Sequence, residues 1–346
     1  MTDRRLSDAT KEEIASVVAK AGEPRFRTQQ VLGWIADKGV FDPQEMANLP
    51  KSLRTVLTDH FSVAPLKLRD ISGSDDGTEK LLFEMSDGAL VESVLIPTPD
   101  RVTVCLSSQV GCGVGCRFCA SGLDGVKRNL THGEIVEQFM LSRLRVRKRE
   151  RELTNLVMMG MGEPMHNFEN VLEALGRLNS EEGANFGARR ITVSTVGIRE
   201  GVERFTAAKT QYTLAFSLHA PNDEIRSEIV PLKSAMTVEE LCDAAVDYLN
   251  HTGREVTFEY VLLRDLNDGR EHADELVYRL RGIRCMVNVI PWNPVPGLPF
   301  ERPPNARVDA FETQLIEGGL NVVVRRRRGN DIDAACGQLA LKNLGR

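Results

Sequence analysis

The 346-residue sequence has no apolar run approaching membrane-spanning length, so no membrane partner is expected. Its first residues, MTDRRLSDATKEE, are polar and hold no apolar signal core, so the expected compartment is the cytoplasm. There is no surplus of positive charge. With 44 Lys and Arg against 49 Asp and Glu, the formal net charge is −5, and any nucleic-acid contact must come from a local basic patch. Internal repeats and low-complexity linkers are missing. The seven cysteines are an odd number in a long chain, which argues against a disulfide framework. The length suits one large domain plus an accessory piece.

What is there centres on Val104 to Gly122, VCLSSQVGCGVGCRFCASG. Cys112, Cys116 and Cys119 are spaced C-x3-C-x2-C, with glycines at 111, 113 and 115 around the first two. The apolar run Val102 to Leu106 predicts a strand leading into a loop too glycine-rich for a helix. Such a loop can curl three thiolates around one metal centre, and the spacing points to an iron–sulfur cluster. Three protein ligands leave one iron of a four-iron cluster open to a substrate or cofactor, as in catalytic metal sites. Zinc prefers paired C-x2-C units with a fourth ligand, and no second pair exists here.

Residues 1–62 read as a small helical accessory domain. Thr10 and Glu13 form a capping box, Ile14, Val17 and Val18 follow at helical spacing, and helices are expected over Gln29–Asp37 and around Leu53–Leu57. Its role is either a packing cap or a grip on RNA. Residues 63–97 read as a β-hairpin extension, with turn signals at Asp75-Asp76-Gly77 and Asp87-Gly88. In the strand Leu90 to Ile96, Glu92 reads on its own as an exposed residue. If its face is partly desolvated, its carboxylate is raised toward the range of a general base. Residues 98–331 alternate strand and helix in about six βα units, predicting an α/β fold with a partial (β/α)6 core barrel. Residues 332–346 form a C-terminal loop and tail.

The chemically interesting residues fall just past strand ends, on the rim where parallel barrels carry their active sites. They are Gly162 and Glu163 in Gly160–Pro164, Ser194, Ser217-Leu218-His219 and Asn293. Each alone is a weak signal, and Gly162 or Asn293 also fits an ordinary turn. Two lone cysteines stand out: Cys105 on the lead-in strand, and Cys336 in a polar, small-residue loop where a thiolate can react. Cys242 and Cys285 lie in apolar contexts and read as core packing.

Taken together, CLSSQVGCGVGCRFCASG, KRNL (127–130), MGMGEP (159–164), ITVSTVG (191–197), FSLHAPN (216–222) and GNDIDAACGQL (329–339) resemble the RlmN/Cfr family of radical S-adenosylmethionine (radical SAM) RNA methyltransferases. The match runs in order along nearly the whole chain, and the last motif is far more specific than the three cysteines. It implies a radical SAM barrel carrying a [4Fe-4S] cluster on Cys112, Cys116 and Cys119. S-adenosylmethionine would be contacted by Gly162, Glu163, Ser194, Ser217, Leu218, His219 and Asn293. Carbon 2 of adenine is not nucleophilic, so a radical route is needed, with the cofactor carrying the hard step. The resemblance implies that Cys336 is first methylated and its activated methylene then adds to carbon 2. Cys105 would attack the Cys336 sulfur, releasing RNA and leaving a transient disulfide. Glu92 matches the family's proton acceptor, and either it or Cys105 takes the proton.

The implied substrates are an adenosine of 23S ribosomal RNA at the peptidyl-transferase centre and the adenosine beside the anticodon in transfer RNAs, read as unstacked bases. An electron donor such as flavodoxin or ferredoxin is also implied. Arg325–Arg328 and the Arg143–Arg151 cluster are candidate phosphate contacts. Two rivals remain: a Cfr-like enzyme acting on carbon 8, and a zinc-bearing RNA-binding protein without catalysis.

Overall fold

A computed structural model describes residues 4–325 and 328–339. The chain begins with three helices, α1 (Lys11–Lys20), α2 (Phe26–Lys38) and α3 (Lys51–His60). Thr10 and Glu13 close the expected capping box at the start of α1, and Gly39 ends α2 in a left-handed turn. Ile14, Val17, Val18, Val31, Leu53 and Leu57 form a small core of their own. A buried arginine ties these helices to the rest: Arg5 lies 3.3 Å from Glu134 and 3.4 Å from Glu137.

Next come β1 (Lys67–Gly73), β2 (Glu79–Glu84) and β3 (Leu90–Pro97), an antiparallel meander. β3 then pairs antiparallel with β4 (Val102–Cys105), setting Val94 opposite Cys105. The extension is therefore continuous with the barrel sheet. Past β4, the short strands β5 (Gln109–Gly111) and β6 (Val126–Asn129) pair with each other and bracket the cysteine loop.

The barrel follows as α4 (His132–Arg147), β7 (Asn155–Met158), α5 (Phe168–Asn179), β8 (Ile191–Thr195), α6 (Arg199–Ala207), β9 (Thr213–Ser217), α7 (Asp223–Ile229), α8 (Val238–Thr252), β10 (Val256–Leu262), α9 (Arg270–Leu280), β11 (Cys285–Pro291), α10 (Asn305–Glu317) and β12 (Asn321–Val324). β4, β7, β8, β9, β10, β11 and β12 pair parallel in that order. Six βα units and a closing strand make the (β/α)6 barrel. The capping boxes Thr131–Glu134 and Thr237–Glu240 start α4 and α8 as their sequences predict. Helix α6 is not visible in the pattern, because its buried face is only Gly201, Val202, Phe205 and Thr206. All seven residues of β10 are buried, as befits a strand covered on both faces. Among the described residues no helix is long and apolar enough to cross a membrane.

Candidate active site

The C-terminal ends of β7, β8, β9, β10 and β11, with the cysteine loop between β5 and β6, surround one cavity. Its wall includes Cys112, Cys116, Cys119, Gly162, Glu163, Ser194, Ser217, His219, Asn293 and Cys336. Of the candidates, only Leu218, Cys105 and Glu92 do not line it. Leu218 is fully buried just behind the rim, where its N–H donates to the Glu259 carbonyl at 3.0 Å.

The rim is built by close packing of loops. Met161 accepts backbone N–H bonds from Ser108 (2.8 Å) and Gln109 (3.2 Å). Gly162 has φ +106°, and a Cβ there would lie 2.7 Å from the Gln109 backbone nitrogen, so only glycine fits this approach. Each Glu163 carboxylate oxygen accepts a backbone N–H at 2.9 Å, one from Met165 and one from Val196. Burial nonetheless raises its pKa. Ser194 and Ser217 meet hydroxyl to hydroxyl at 3.3 Å on adjacent strands.

His219 sits at φ +61° with Nδ1 accepting the Val261 N–H at 3.1 Å. Burial, and then the nearby Arg226 charge, pushes its pKa down to about 3, so the ring is neutral at physiological pH. Arg226 is a residue the sequence pattern does not reveal. It donates to the carbonyls of Leu218, Met236, Val196 and Ser217, tying the ends of β8 and β9 to the connection between α7 and α8.

The cysteine loop packs on an apolar floor of Val114, Phe118, Ile229, Val261 and Trp292. Burial pushes Cys112 up to about 11, with the charges of Cys119 and Glu163 adding to it and backbone hydrogen bonds from Val114 and Gly162 opposing it, and burial raises Cys116 and Cys119 as well. Cys336 is exposed at the cavity, and its carbonyl accepts from Asn293 Nδ2 at 3.2 Å. Cys105 is buried on β4. Burial, and then the charge of Cys336, pushes its thiol up to about 12.

Three comparisons with known proteins bear on this arrangement. Residues 106–277 match the model of the radical SAM superfamily. Residues 5–63 match that of the ribosomal RNA large subunit methyltransferase N-terminal domain. A "Probable dual-specificity RNA methyltransferase RlmN" of Rhodopirellula baltica is 47% identical over 328 residues, covering 95% of this chain and 88% of the relative. A protein of the same name from Thermotoga maritima is 43% identical over 343 residues, covering 99% and 98%. The crystal structure of a radical SAM methyltransferase from Sphaerobacter thermophilus superposes with a TM-score of 0.93 at 47% identity, covering 97% of this chain and 99% of that one. This chain belongs to the RlmN family of radical SAM RNA methyltransferases.

Three expectations for this RlmN-family chain need correction. Glu92 is not the exposed strand residue its own sequence suggests. Strand β3 is paired on both sides, so Glu92 is 3% exposed and forms an ion pair with Lys80 at 3.1 Å. The Arg143–Arg151 cluster is largely engaged within the chain. Arg145 and Arg149 pair with Glu79, Arg147 and Arg143 with Glu152, and Arg151 donates to the Thr98 carbonyl. In the other run, Arg325 turns into the cavity and Arg328 donates to the Pro97 carbonyl at 2.9 Å. Arg326 and Arg327 lie outside the described residues.

Sequence reasoning also passes over Glu259, which lines the cavity from β10. Its signal is a lone acidic residue inside the otherwise apolar run VTFEYVL, since a buried carboxylate without a partner is rare.

Proposed function

We propose that this RlmN-family enzyme methylates carbon 2 of an adenosine in 23S ribosomal RNA at the peptidyl-transferase centre, and of the adenosine beside the anticodon in transfer RNAs. The observation that carries the reading is the meeting of the three-cysteine loop, the strand-end rim and Cys336 around one cavity. The dual-specificity name carried by the relatives supports the two RNA classes.

The residues suit the cofactors that the superfamily implies. Three free thiols on one loop offer soft sulfur ligands. Asn293 Oδ1 and Glu259 Oε2 are buried acceptors in the cavity wall without a partner, ready for a ligand's donors. Cys112, Cys116 and Cys119 would hold the [4Fe-4S] cluster. Gly162, Glu163, Ser194, Ser217, Leu218, His219 and Asn293 would hold S-adenosylmethionine. When bound and reduced by a flavodoxin- or ferredoxin-type donor, these groups supply the methyl group and the radical that activates it.

The chain's own residues do the rest. Cys336 carries the methyl carbon to the base, and its exposure at the cavity suits contact with an unstacked adenine. Cys105 attacks the Cys336 sulfur to release the product, and it lies close enough to feel the charge of Cys336. Glu92, the family's proton acceptor, lies outside the cavity lining in an ion pair with Lys80, and it or Cys105 takes the proton from carbon 2. The test is anaerobic incubation of cluster-loaded protein with ribosomal RNA and, separately, transfer RNA, S-adenosylmethionine and a reductant. Mass spectrometry of the nucleosides should give 2-methyladenosine from both. A product of 8-methyladenosine would assign the carbon-8 activity instead.

A further inference from the structure

Arg325 opens a run of four arginines, and charge alone marks such a run for RNA phosphates. The fold gives this residue a different setting. Its backbone N–H donates to the Val289 carbonyl at 2.9 Å, which continues the pairing of β12 with β11. The side chain then lies in the cavity wall. One edge of the guanidinium meets a carboxylate: Nη2 is 3.1 Å from Glu259 Oε1. That oxygen also accepts from Asn288 Nδ2 at 2.8 Å, from the neighbouring position on β11, so the carboxylate is fixed from behind. The other edge meets sulfur. Nη1 is 3.8 Å from Cys336 Sγ, and Met159 Sδ lies 3.9–4.0 Å from the two terminal nitrogens. The same charge acts on Cys105, where it opposes the effect of burial.

We propose that Arg325, braced by Glu259 and Asn288, is a positioning residue for Cys336, fixing its Sγ in one rotamer for exchange with Cys105 rather than contacting RNA phosphate. The inference rests on the reading that Cys105 and Cys336 exchange sulfur bonds. A thiol on an exposed loop has several rotamers, and attack by Cys105 needs one of them. Fixing that rotamer removes an entropic barrier from the exchange. A planar fork with one edge on a carboxylate has its other edge aimed, which a lysine ammonium does not reproduce.

The experiment uses the full-length, cluster-loaded protein under anaerobic conditions, with oxidised glutathione as the oxidant. The Cys336 thiolate attacks its disulfide, forming a mixed disulfide and expelling one glutathione thiolate. Cys105 then attacks the Cys336 sulfur, the Cys105–Cys336 bond forms, and the second glutathione leaves. Both protein thiols are oxidised, each losing a proton, and one disulfide becomes two glutathione thiols. Acid quenching, alkylation and mass spectrometry of the Cys336 peptide follow the second step.

Arg325→Met should slow closure about tenfold or more by removing the aimed contact. Arg325→Lys should recover part of the rate, and Glu259→Gln should slow it in the same direction. The salt dependence of RNA binding by Arg325→Met should match that of the wild type. Closure of Arg325→Met at the wild-type rate would overturn the inference. So would a salt slope smaller by about one, the signature of a lost phosphate contact. If Arg325→Met does not fold, Arg325→Lys and Glu259→Gln decide on the same criteria. A wild-type protein that neither closes the bridge nor methylates RNA sinks the two-cysteine reading, and the inference with it. If the wild type does both and the variants match it, the inference alone fails.

Discussion

The loop of Cys112–Cys119 and the loop of Cys336 face the same cavity but are held differently. The first combines nearby contacts with distant ones: Arg117 N–H donates to the Ile229 carbonyl and Trp292 Nε1 to the Phe118 carbonyl, both at 2.9 Å. Cys112 N–H donates to the Gly125 carbonyl at 3.1 Å, Cys119 N–H to the Cys116 carbonyl at 3.1 Å, and the β5–β6 pair closes around it. The second is held mostly by distant elements. Gly329 N–H donates to Asp76 at 3.0 Å, Ser74 to Asp331 at 2.6 Å, and Lys80 to the Asp333 carbonyl at 3.5 Å. From the other side, Ala120 N–H donates to the Gly337 carbonyl at 2.7 Å and Ser121 to the Leu339 carbonyl at 2.6 Å. The meander β1–β3 and the cysteine loop thus grip the Cys336 loop between them. A loop of the first kind announces itself by spacing. A loop of the second kind gets its place from tertiary contacts far away in sequence.

The largest effects should separate the two loops by what is lost. On the proposed assignment, Cys116→Ala removes a cluster ligand, so iron content and turnover should both fall to near zero. Cys336→Ala should abolish methylation with iron content unchanged. Iron and sulfide analysis beside the nucleoside assay checks both, and full iron in Cys116→Ala would end the cluster assignment. Cys105→Ala should lose turnover in a third way. Addition to the base goes ahead, but nothing resolves the thioether, so protein accumulates covalently on RNA. A ribonuclease-sensitive band shift on a denaturing gel should appear for Cys105→Ala and be absent for Cys336→Ala.

The same contrast explains what was legible beforehand. The three cysteines, the capping boxes at Thr10, Thr131 and Thr237, and most barrel strands follow from spacing and periodicity, which are local. Cys336 stands out by its polar, small-residue loop, but its proposed role and those of Cys105 and Glu92 rest on the family resemblance, because nothing near them in sequence fixes where they point. Glu92 shows the limit most clearly. Its period-two pattern marks a face but does not reveal that β3 is an interior strand. Arg325 shows it again, since a run of four arginines carries no sign that the first turns inward onto Glu259.

An intermediate effect is expected at Gly162, where the rim leans on the segment just before the cysteine loop. Gly162→Ala forces a side chain into φ +106° and against Ser108 and Gln109. The left-handed backbone alone costs about 1–2 kcal/mol for a non-glycine residue, and the contact adds to it. Thermal unfolding should show a clear drop in midpoint. An unchanged midpoint would mean that this rim gives way easily and is no rigid support.

The smallest effect should fall on the distant grip of the Cys336 loop, at Asp76. Its carboxylate takes the N–H groups of Thr78 (2.9 Å) and Gly329 (3.0 Å), joining the β1–β2 turn to the loop. Gly329 itself has φ +62°, and a Cβ there would press on Thr78 and Ala334, so the two segments touch at this point. Burial pulls the Asp76 carboxyl up, but the hydrogen bonds from Thr78, Gly329 and Ser74 together outweigh it, and its pKa lies below the ordinary value. A folded pKa below the unfolded one gives stability that is present above the unfolded value and lost as pH falls through the folded pKa. The grip should therefore hold at neutral pH and loosen in acid, below the ordinary carboxylate range. Asp76→Ala should mimic that loss at neutral pH. A hydrogen bond of this kind at an exposed turn contributes about 1 kcal/mol, or roughly fivefold in local opening. Hydrogen exchange of the amides in 329–338 should quicken by about that factor, while those in 112–119 keep their wild-type protection. Equal quickening in both loops would show that the variant has loosened the whole barrel and that the two loops are not held independently.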